Sequence, residues 1–291
     1  MTKVISLPIA SWDQPFSSVE QECATGALES GCVVVLSQLG FSLSDQEAQL
    51  LSPAIAGEGK NISLDPARGI VRGSRTTPGE IELLQAMMAR FATSTLTLLR
   101  NLLPRYEDGL HGARTSFRPI EIAGRVTSWR KDDTRLHVDS FPSSPTRGAR
   151  ILRVFSNVNP TGQVRTWRLG EPFETVLRRH LPALSAPLPG MSYLLERLGI
   201  TKGRRSAYDH FMLKLHDRMK ADAAYQAEAA QHVHEFPAGC TWLVFTDQVS
   251  HAATAGQYAL ERTFLVPLKC LRDPSRAPLR VLERALGREL A

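Results

Sequence analysis

The chain has 291 residues, 43% of them hydrophobic, and its 35 lysines and arginines against 29 aspartates and glutamates leave a net charge of +6. That is enough apolar material for one large core, and no Gly/Ser-rich linker or acidic run divides it, so a single domain over residues 1–291 is expected. Four scattered cysteines, Cys23, Cys32, Cys240 and Cys270, argue against a disulfide framework or zinc knuckle; with no secretory leader and no membrane-length apolar run, a cytoplasmic protein is expected.

In chain order, a helical pattern from Ser18 to Ser30 ends at Gly31, and Cys32-Val-Val-Val-Leu36 follows as a β-branched strand suited to a buried sheet. Ser44-Asp-Gln-Glu47 has the reciprocal serine and glutamate of a helix start, with a helix to about Leu51. Residues 56–79 read as a long glycine-rich loop able to cover a site. Gly57-Glu-Gly59-Lys60 within it lacks the spacing and flanking elements of a phosphate loop. Glu80 to Leu103 is an amphipathic helix with Ile81, Leu84, Met88, Phe91, Leu96 and Leu99 on its apolar face. Residues 1–116 are thus expected to be mainly helical support.

Sheet character begins after Pro104. Phe117 to Arg130 alternates through Ile120, Ile122 and Val126 and leads into a strand opened by His137. Arg150 to Val158 is a strand ended by the Asn159-Pro160-Thr-Gly162 turn, and Val164 to Arg168 is the strand after it. Residues 171–231 read as a helical insertion at the pocket mouth, in which at most one of His210 and His216 faces inward. Strand character returns at 241–246, 250–253 and 262–267, so 117–170 and 232–270 supply the barrel strands. The tail, 271–291, sets Leu279, Leu282, Leu286 and Leu290 on one helical stripe and Arg280, Arg284 and Arg288 on another. Such a helix can pack on the barrel or lie on an anionic bilayer.

The chemistry centres on His137-Val138-Asp139. On an extended strand residues i and i+2 share a face, so one imidazole and one carboxylate can reach a single ion. His251, after the apolar strand, completes two histidines and a carboxylate, the facial set of non-haem Fe(II) oxygenases that leaves positions open for a cosubstrate and O2. An HxD triplet alone is weak; the late histidine and the basic residue on the next strand give it weight. That residue is Arg262, placed where 2-oxoglutarate oxygenases hold the distal carboxylate of the cosubstrate. Arg150 or Arg153, on the strand after the HxD, can reach the same group. Arg130, Arg135, Arg147, Arg165 and Arg168 crowd the triad in sequence and are candidate binders of an anionic substrate, each with the alternative of a solvated rim charge. Trp129 and Trp167 can stack on a sugar or pack in the core. The expected fold is α+β, a double-stranded β-helix (jelly roll, cupin-like) with N-terminal helices and a helical insertion.

Three stretches carry a more specific likeness: Ser128 to Phe173 (SWRKDDTRLHVDSFPSSPTRGARILRVFSNVNPTGQVRTWRLGEPF), Ala207 to Gln226, and Phe245 to Leu268. Together they resemble the bacterial Kdo 3-hydroxylases, Fe(II)- and 2-oxoglutarate-dependent enzymes acting on the 3-deoxy-octulosonate sugar of the lipopolysaccharide inner core. The likeness runs from about Phe117 to Leu268. It implies that His137, Asp139 and His251 bind iron, that 2-oxoglutarate and O2 are cosubstrates, and that the partner is an anionic sugar or lipid, with peripheral contact at the inner membrane surface. Two other classes remain: an oxygenase of nucleic acid, which lacks a basic-aromatic platform here so that no nucleic acid is expected, and a non-catalytic sugar-binding barrel.

Overall fold

Two β-sheets of unequal size face each other in this computed structural model, which describes residues 1–65 and 68–291. In chain order the elements are β1 (Val4–Ser6), α1 (Ser18–Glu29), β2 (Val33–Leu36), α2 (Asp45–Ala48), β3 (Ile62–Asp65), β4 (Ile70–Arg72), α3 (Pro78–Leu102) and β5 (His111–Arg118). There follow β6 (Arg150–Asn157), β7 (Arg165–Leu169), α4 (Phe173–His180), α5 (Met191–Arg197), α6 (Ala207–Ala221), α7 (Ala223–Glu228), β8 (His232–Phe236), β9 (Thr241–Phe245), β10 (His251–Ala255), β11 (Ala259–Val266) and α8 (Pro278–Leu286). The larger sheet has the order β1-β2-β9-β6-β11-β5-β3-β4 and the smaller β10-β7-β8. Only β1 and β2 pair in parallel among the described strands; the other pairs are antiparallel, as a jelly roll requires.

The helix starts follow local chemistry. Ser17 with Glu20, Ser44 with Glu47, Thr77 with Glu80 and Ser206 with Asp209 form reciprocal caps, so each helix begins where a hydroxyl and a carboxylate satisfy otherwise unpaired backbone N–H groups.

Strand alternation sorts the core into layers. On β6, Leu152 and Val154 face outward to α1 and α3, with Leu243 and Phe245 of β9 and Phe264 and Val266 of β11. The opposite face carries Phe155, Trp242 and Val244 against Trp167, Leu169 and Phe236 of the small sheet. Phe155 and Trp167 meet edge to face with centroids 5.1 Å apart, and Trp242 stacks on Phe236 at 4.1 Å. This aromatic plug closes one end of the space between the sheets and leaves the other end for a cavity. α4, α6, α7 and α8 cover the small-sheet side, where Phe211, Met212, Leu215 and Leu282 pack on Leu136, Val138 and Ala252.

Several expectations change. Residues 1–116 are not only helical support: β1 to β4 and most of β5 extend both edges of the large sheet. The glycine-rich loop contains the β3–β4 hairpin; Pro66 and Ala67 of that loop lie outside the described residues. α2 is a single turn ending at Ala48, followed by a 3-10 turn at Pro53–Ile55. Residues 119–130 form no strand, and Val126 is 96% exposed, because the alternating segment falls beyond the end of β5. Of the two readings of the tail the structure takes the packed one: Leu279, Leu282 and Leu290 are buried in the layer beneath α6 and Leu286 is partly buried against it.

Candidate metal centre

His137 does not open a regular strand; it forms an isolated antiparallel bridge with His251 at the start of β10. The His137 N–H donates to the His251 carbonyl at 3.0 Å, and the His251 N–H returns the bond at 2.9 Å. Two residues on, the Asp139 N–H donates to the Thr246 carbonyl at 2.8 Å. These backbone bonds make the two imidazoles cross-strand neighbours, with ring centroids 4.7 Å apart. One ligand atom from each of His137, Asp139 and His251 lies within 4.8 Å of the others.

The donor set has the chemistry of a metal site. His137 Nδ1 sits 2.7 Å from the Arg135 carbonyl and His251 Nδ1 2.8 Å from the Val249 carbonyl. A carbonyl only accepts, so both Nδ1 atoms carry the proton and both Nε2 lone pairs are free for an ion. Burial lowers the pKa of both imidazoles, that of His251 to about 3 with His137 adding to the effect, which keeps them neutral. Burial works the other way on Asp139, but Arg153 together with His137 and His251 outweighs it and holds the carboxyl well below its usual range. Arg153 Nη2 lies 2.9 Å from Asp139 Oδ2, yet that oxygen has no aligned hydrogen bond. Two neutral imidazoles and one carboxylate, buried on one side of a cavity, fit Fe(II) with open coordination positions.

The cavity has a volume of about 740 Å³. Trp167 forms part of its wall, stacked on His251 at 5.0 Å, and His216 of α6 meets the His137 ring edge to face at 5.3 Å. His210 turns away, its Nε2 3.0 Å from the Ser185 carbonyl. Trp129 stays at the rim, its ring beneath Arg130 at 4.0 Å.

The arginines divide sharply. Arg153 lines the cavity beside the triad, paired to Asp139 and, at 3.5 Å, to Glu261. Arg262 does not line it: its guanidinium donates to the Ala92 carbonyl of α3 and lies 4.7 Å over the Phe264 ring. Arg150 likewise faces out, buried and bound to Asp247 and Gln248 at 2.7 Å each. The reason is alternation: Arg262 shares its face with Leu260, Phe264 and Val266, and Arg150 with Leu152 and Val154. Among the five candidate substrate arginines, Arg130 and Arg165 line the cavity. Arg135 is bound to the Lys220 carbonyl and Asp132, Arg168 to the Thr134 carbonyl, and Arg147 stands outside the cavity on a left-handed turn with φ 52°.

Arg165 differs from the rest. It is 2% exposed, and its one hydrogen bond reaches the Gly256 carbonyl at 3.3 Å. Among the described residues no carboxylate pairs with it, and its Nε has no partner. Burial, followed by the charge of Arg118, pulls its guanidinium down to about 9. A buried cation without a counter-ion in a cavity wall is a seat for a ligand carboxylate.

Sequence reasoning missed Lys60, Arg118, Lys131, Lys202, Lys220, Glu261 and Thr263, all in the cavity wall. For Glu261 and Thr263 a signal existed, since they flank Arg262 on a strand whose alternate residues are apolar. For Lys60 none did: it arrives from the segment leading into β3 to pair with Asp133 at 2.5 Å.

Comparison with known proteins agrees with this geometry. The family model of 3-deoxy-D-manno-oct-2-ulosonic acid (Kdo) hydroxylase matches residues 11–289. The crystal structure of the Kdo hydroxylase KdoO, a non-haem Fe(II) α-ketoglutarate-dependent dioxygenase in complex with α-ketoglutarate and Fe(III), superposes with a TM-score of 0.96 at 48% identity, covering 100% of this chain and 98% of that one. Its complex with cobalt(II) gives 0.97 at 49% identity over 99% and 97% of the two chains. The complex with succinate and Fe(III) gives 0.95 at 48% over 99% and 97%. No curated protein matches the chain. With a family match over nearly the whole sequence, a jelly-roll core and a two-histidine, one-carboxylate cluster, the chain belongs to the Kdo hydroxylase family of Fe(II)- and 2-oxoglutarate-dependent dioxygenases.

Proposed function

We propose that this protein hydroxylates C3 of the Kdo sugar in the lipopolysaccharide inner core, on Kdo-lipid A, consuming 2-oxoglutarate and O2 and giving the 3-hydroxylated sugar acid, succinate and CO2. The observation that carries the reading is the buried triad whose two Nε2 atoms and carboxylate converge on one point of a cavity rich in cations. His137, Asp139 and His251 hold Fe(II), which with 2-oxoglutarate and O2 supplies the oxidising power. The backbone carbonyls of Arg135 and Val249 fix the tautomers of the two imidazoles.

Arg165, rather than Arg262 or Arg150, takes the distal carboxylate of 2-oxoglutarate, because it is the buried guanidinium in the wall that lacks a protein counter-charge. Arg153 orients the Asp139 carboxylate, and Glu261 in turn holds Arg153 and Arg118, the latter at 2.6 Å. The sugar carboxylate faces Arg130 and Lys131 nearer the mouth and the buried Lys220 deeper in the wall. The aromatic plug of Phe155, Trp167 and Trp242 keeps water from the closed end.

A lipid-linked substrate calls for contact with a bilayer. No helix among the described residues is long and apolar enough to cross one. Peripheral contact is assigned to the stretch around α5, where Leu188, Met191, Tyr193, Leu194, Leu198 and Ile200 are all exposed. Basic residues Arg197, Lys202, Arg204 and Arg205 surround them, a composition suited to an anionic surface. The stretch is tied to the cavity rim, since the Lys202 N–H donates to the Ser143 carbonyl and Ser143 and Lys202 both line the cavity. The four cysteines are free, in keeping with a cytoplasmic location.

The test is succinate formation by iron-loaded protein with and without a Kdo-bearing lipid A precursor, alongside His137→Ala. Sugar-dependent succinate and a gain of one oxygen at C3, both absent in the variant, support the reading. Succinate with no oxidised sugar would redirect the search to another anionic substrate.

A further inference from the structure

The cavity does not stop at the triad's surroundings. Beside it lies a groove of about 400 Å³ at the β3–β4 hairpin, and the two share Asp65, Arg114 and Lys202 in their walls. The cations of the groove are Arg68, Arg72, Arg114 and Lys202. Among the described residues no ion pair engages any of these four, whereas Arg75 and Arg118 nearby are paired with Glu58 and Glu261.

The sheet supplies the connection. Arg118, Ser116 and Arg114 of β5 all line the cavity, and Ser63 stands opposite both Ser116 on β5 and Arg72 on β4. A β-bulge sets Ala113 and Arg114 of β5 against Thr263 of β11, and Arg114 serves both cavity and groove. Arg72 stands two strands across from Ser116, about 10 Å away at the strand spacing of a sheet, and lines the groove but not the cavity. That distance exceeds one pyranose ring, so a sugar held near the triad does not itself reach Arg72. Whatever meets the outer cations belongs to the substrate beyond that sugar.

We propose that the groove is a second anion subsite, taking a phosphate or carboxylate that the substrate carries outside the Kdo residue being hydroxylated. This rests on the Kdo-lipid reading above. Guanidinium pairs suit such groups because each can donate two parallel hydrogen bonds to one anion. Their exposure makes the contact salt-sensitive, which separates it from the buried cation at Arg165.

The test uses the double variant Arg68→Glu/Arg72→Glu, both positions being exposed on the hairpin and outside the triad and its cavity. KM and kcat are measured on Kdo-bearing lipid A precursor with its phosphates and after their enzymatic removal, and on precursors with one or two Kdo residues. The variant is expected to raise KM on the fully anionic lipid about tenfold with kcat changed less than about twofold. Loss of that difference on the dephosphorylated lipid assigns the subsite to phosphate, and loss on the single-Kdo lipid assigns it to a carboxylate. Equal KM for wild type and variant on every lipid overturns the proposal. A direct titration of a Kdo-free disaccharide bisphosphate into anaerobic protein loaded with iron and 2-oxoglutarate separates the two readings. Binding that the variant loses supports the subsite even if no Kdo lipid is turned over, in which case the Kdo reading alone fails. A probe and lipids that do not discriminate wild type from variant remove the subsite and leave the triad's chemistry standing.

Discussion

Glu261 and Arg262 are consecutive on β11 and serve opposite faces of the large sheet. The Glu261 carboxylate lies in the cavity wall, 2.6 Å from Arg118 and 3.5 Å from Arg153, while the Arg262 guanidinium turns to the α3 backbone at Ala92. The cosubstrate seat proposed above lies on the inner face, on β7, where Arg165 lines the cavity two residues before Trp167.

This division predicts a clear contrast in 2-oxoglutarate affinity. Arg165→Met should weaken it by on the order of ten- to a hundred-fold, the loss of about 1.5–3 kcal/mol for hydrogen bonds to a charged group. Arg262→Met should change it less than about twofold, because its side chain does not face the site. Anaerobic titration of iron-loaded protein with 2-oxoglutarate measures both; equal losses would return the seat to the β11 face.

Removing a ligand of the triad should abolish stoichiometric metal without unfolding the chain. His251→Ala and Asp139→Ala are expected to bind iron at least about ten-fold more weakly than wild type. Metal content after gel filtration reads the loss, and far-ultraviolet circular dichroism checks the fold. Full metal occupancy in either variant would place the ion elsewhere.

Arg150 should prove structural. It is buried with Asp247, and its guanidinium packs 4.0 Å over Phe245. Arg150→Ala leaves the Asp247 carboxylate buried and unpaired, a cost of about 3–5 kcal/mol. Urea unfolding should show this loss of stability, with the 2-oxoglutarate affinity of the remaining folded protein unchanged.

Acid should destabilise the cavity wall. Burial opposes ionisation of Asp133, but Lys60 and Arg118 prevail and hold its carboxyl far below the usual range; Arg153 and Arg118 do the same for Glu261. A carboxyl with a depressed folded-state pKa adds stability that is complete above its unfolded value and lost as pH falls toward the folded one. Stability should therefore decline below about pH 4, the unfolded carboxylate range, and Asp133→Asn should flatten the decline. Urea midpoints between pH 3 and 7 measure it, and an unchanged slope in Asp133→Asn would assign the acid loss to other carboxylates.

Membrane association should depend on the stretch around α5 and not on the tail. Leu194→Asp/Leu198→Asp alters exposed residues, so folding should be unaffected while sedimentation with vesicles containing anionic phospholipid falls several-fold. Leu282→Asp should destabilise the protein instead, because Leu282 is buried among the insertion helices. Undiminished vesicle binding in the α5 variant would remove the assignment.

The sequence by itself determined most of the helices, the jelly-roll class and the three residues that cluster as the candidate metal site. Ser44 and Glu47 announce a helix start through bonds made within four residues, and the period-two rule brings His137 and Asp139 to one face. The same rule, applied along β11, places Arg262 with Leu260, Phe264 and Val266 on the helix-covered face, so that its placement was legible in the sequence. Tertiary structure alone decided the rest. Lys60 reaches Asp133 across 73 positions, and Arg165 lacks a counter-charge because the surrounding carboxylates are engaged with other cations. The leucines of the tail are silent toward a bilayer because α6 and its neighbours cover them, whereas those around α5 remain open. Periodicity and capping are local, and a strand pattern carries them intact. Which cation meets which carboxylate, and which apolar stripe finds a partner, depends on contacts between distant segments that exist only once both sheets have closed.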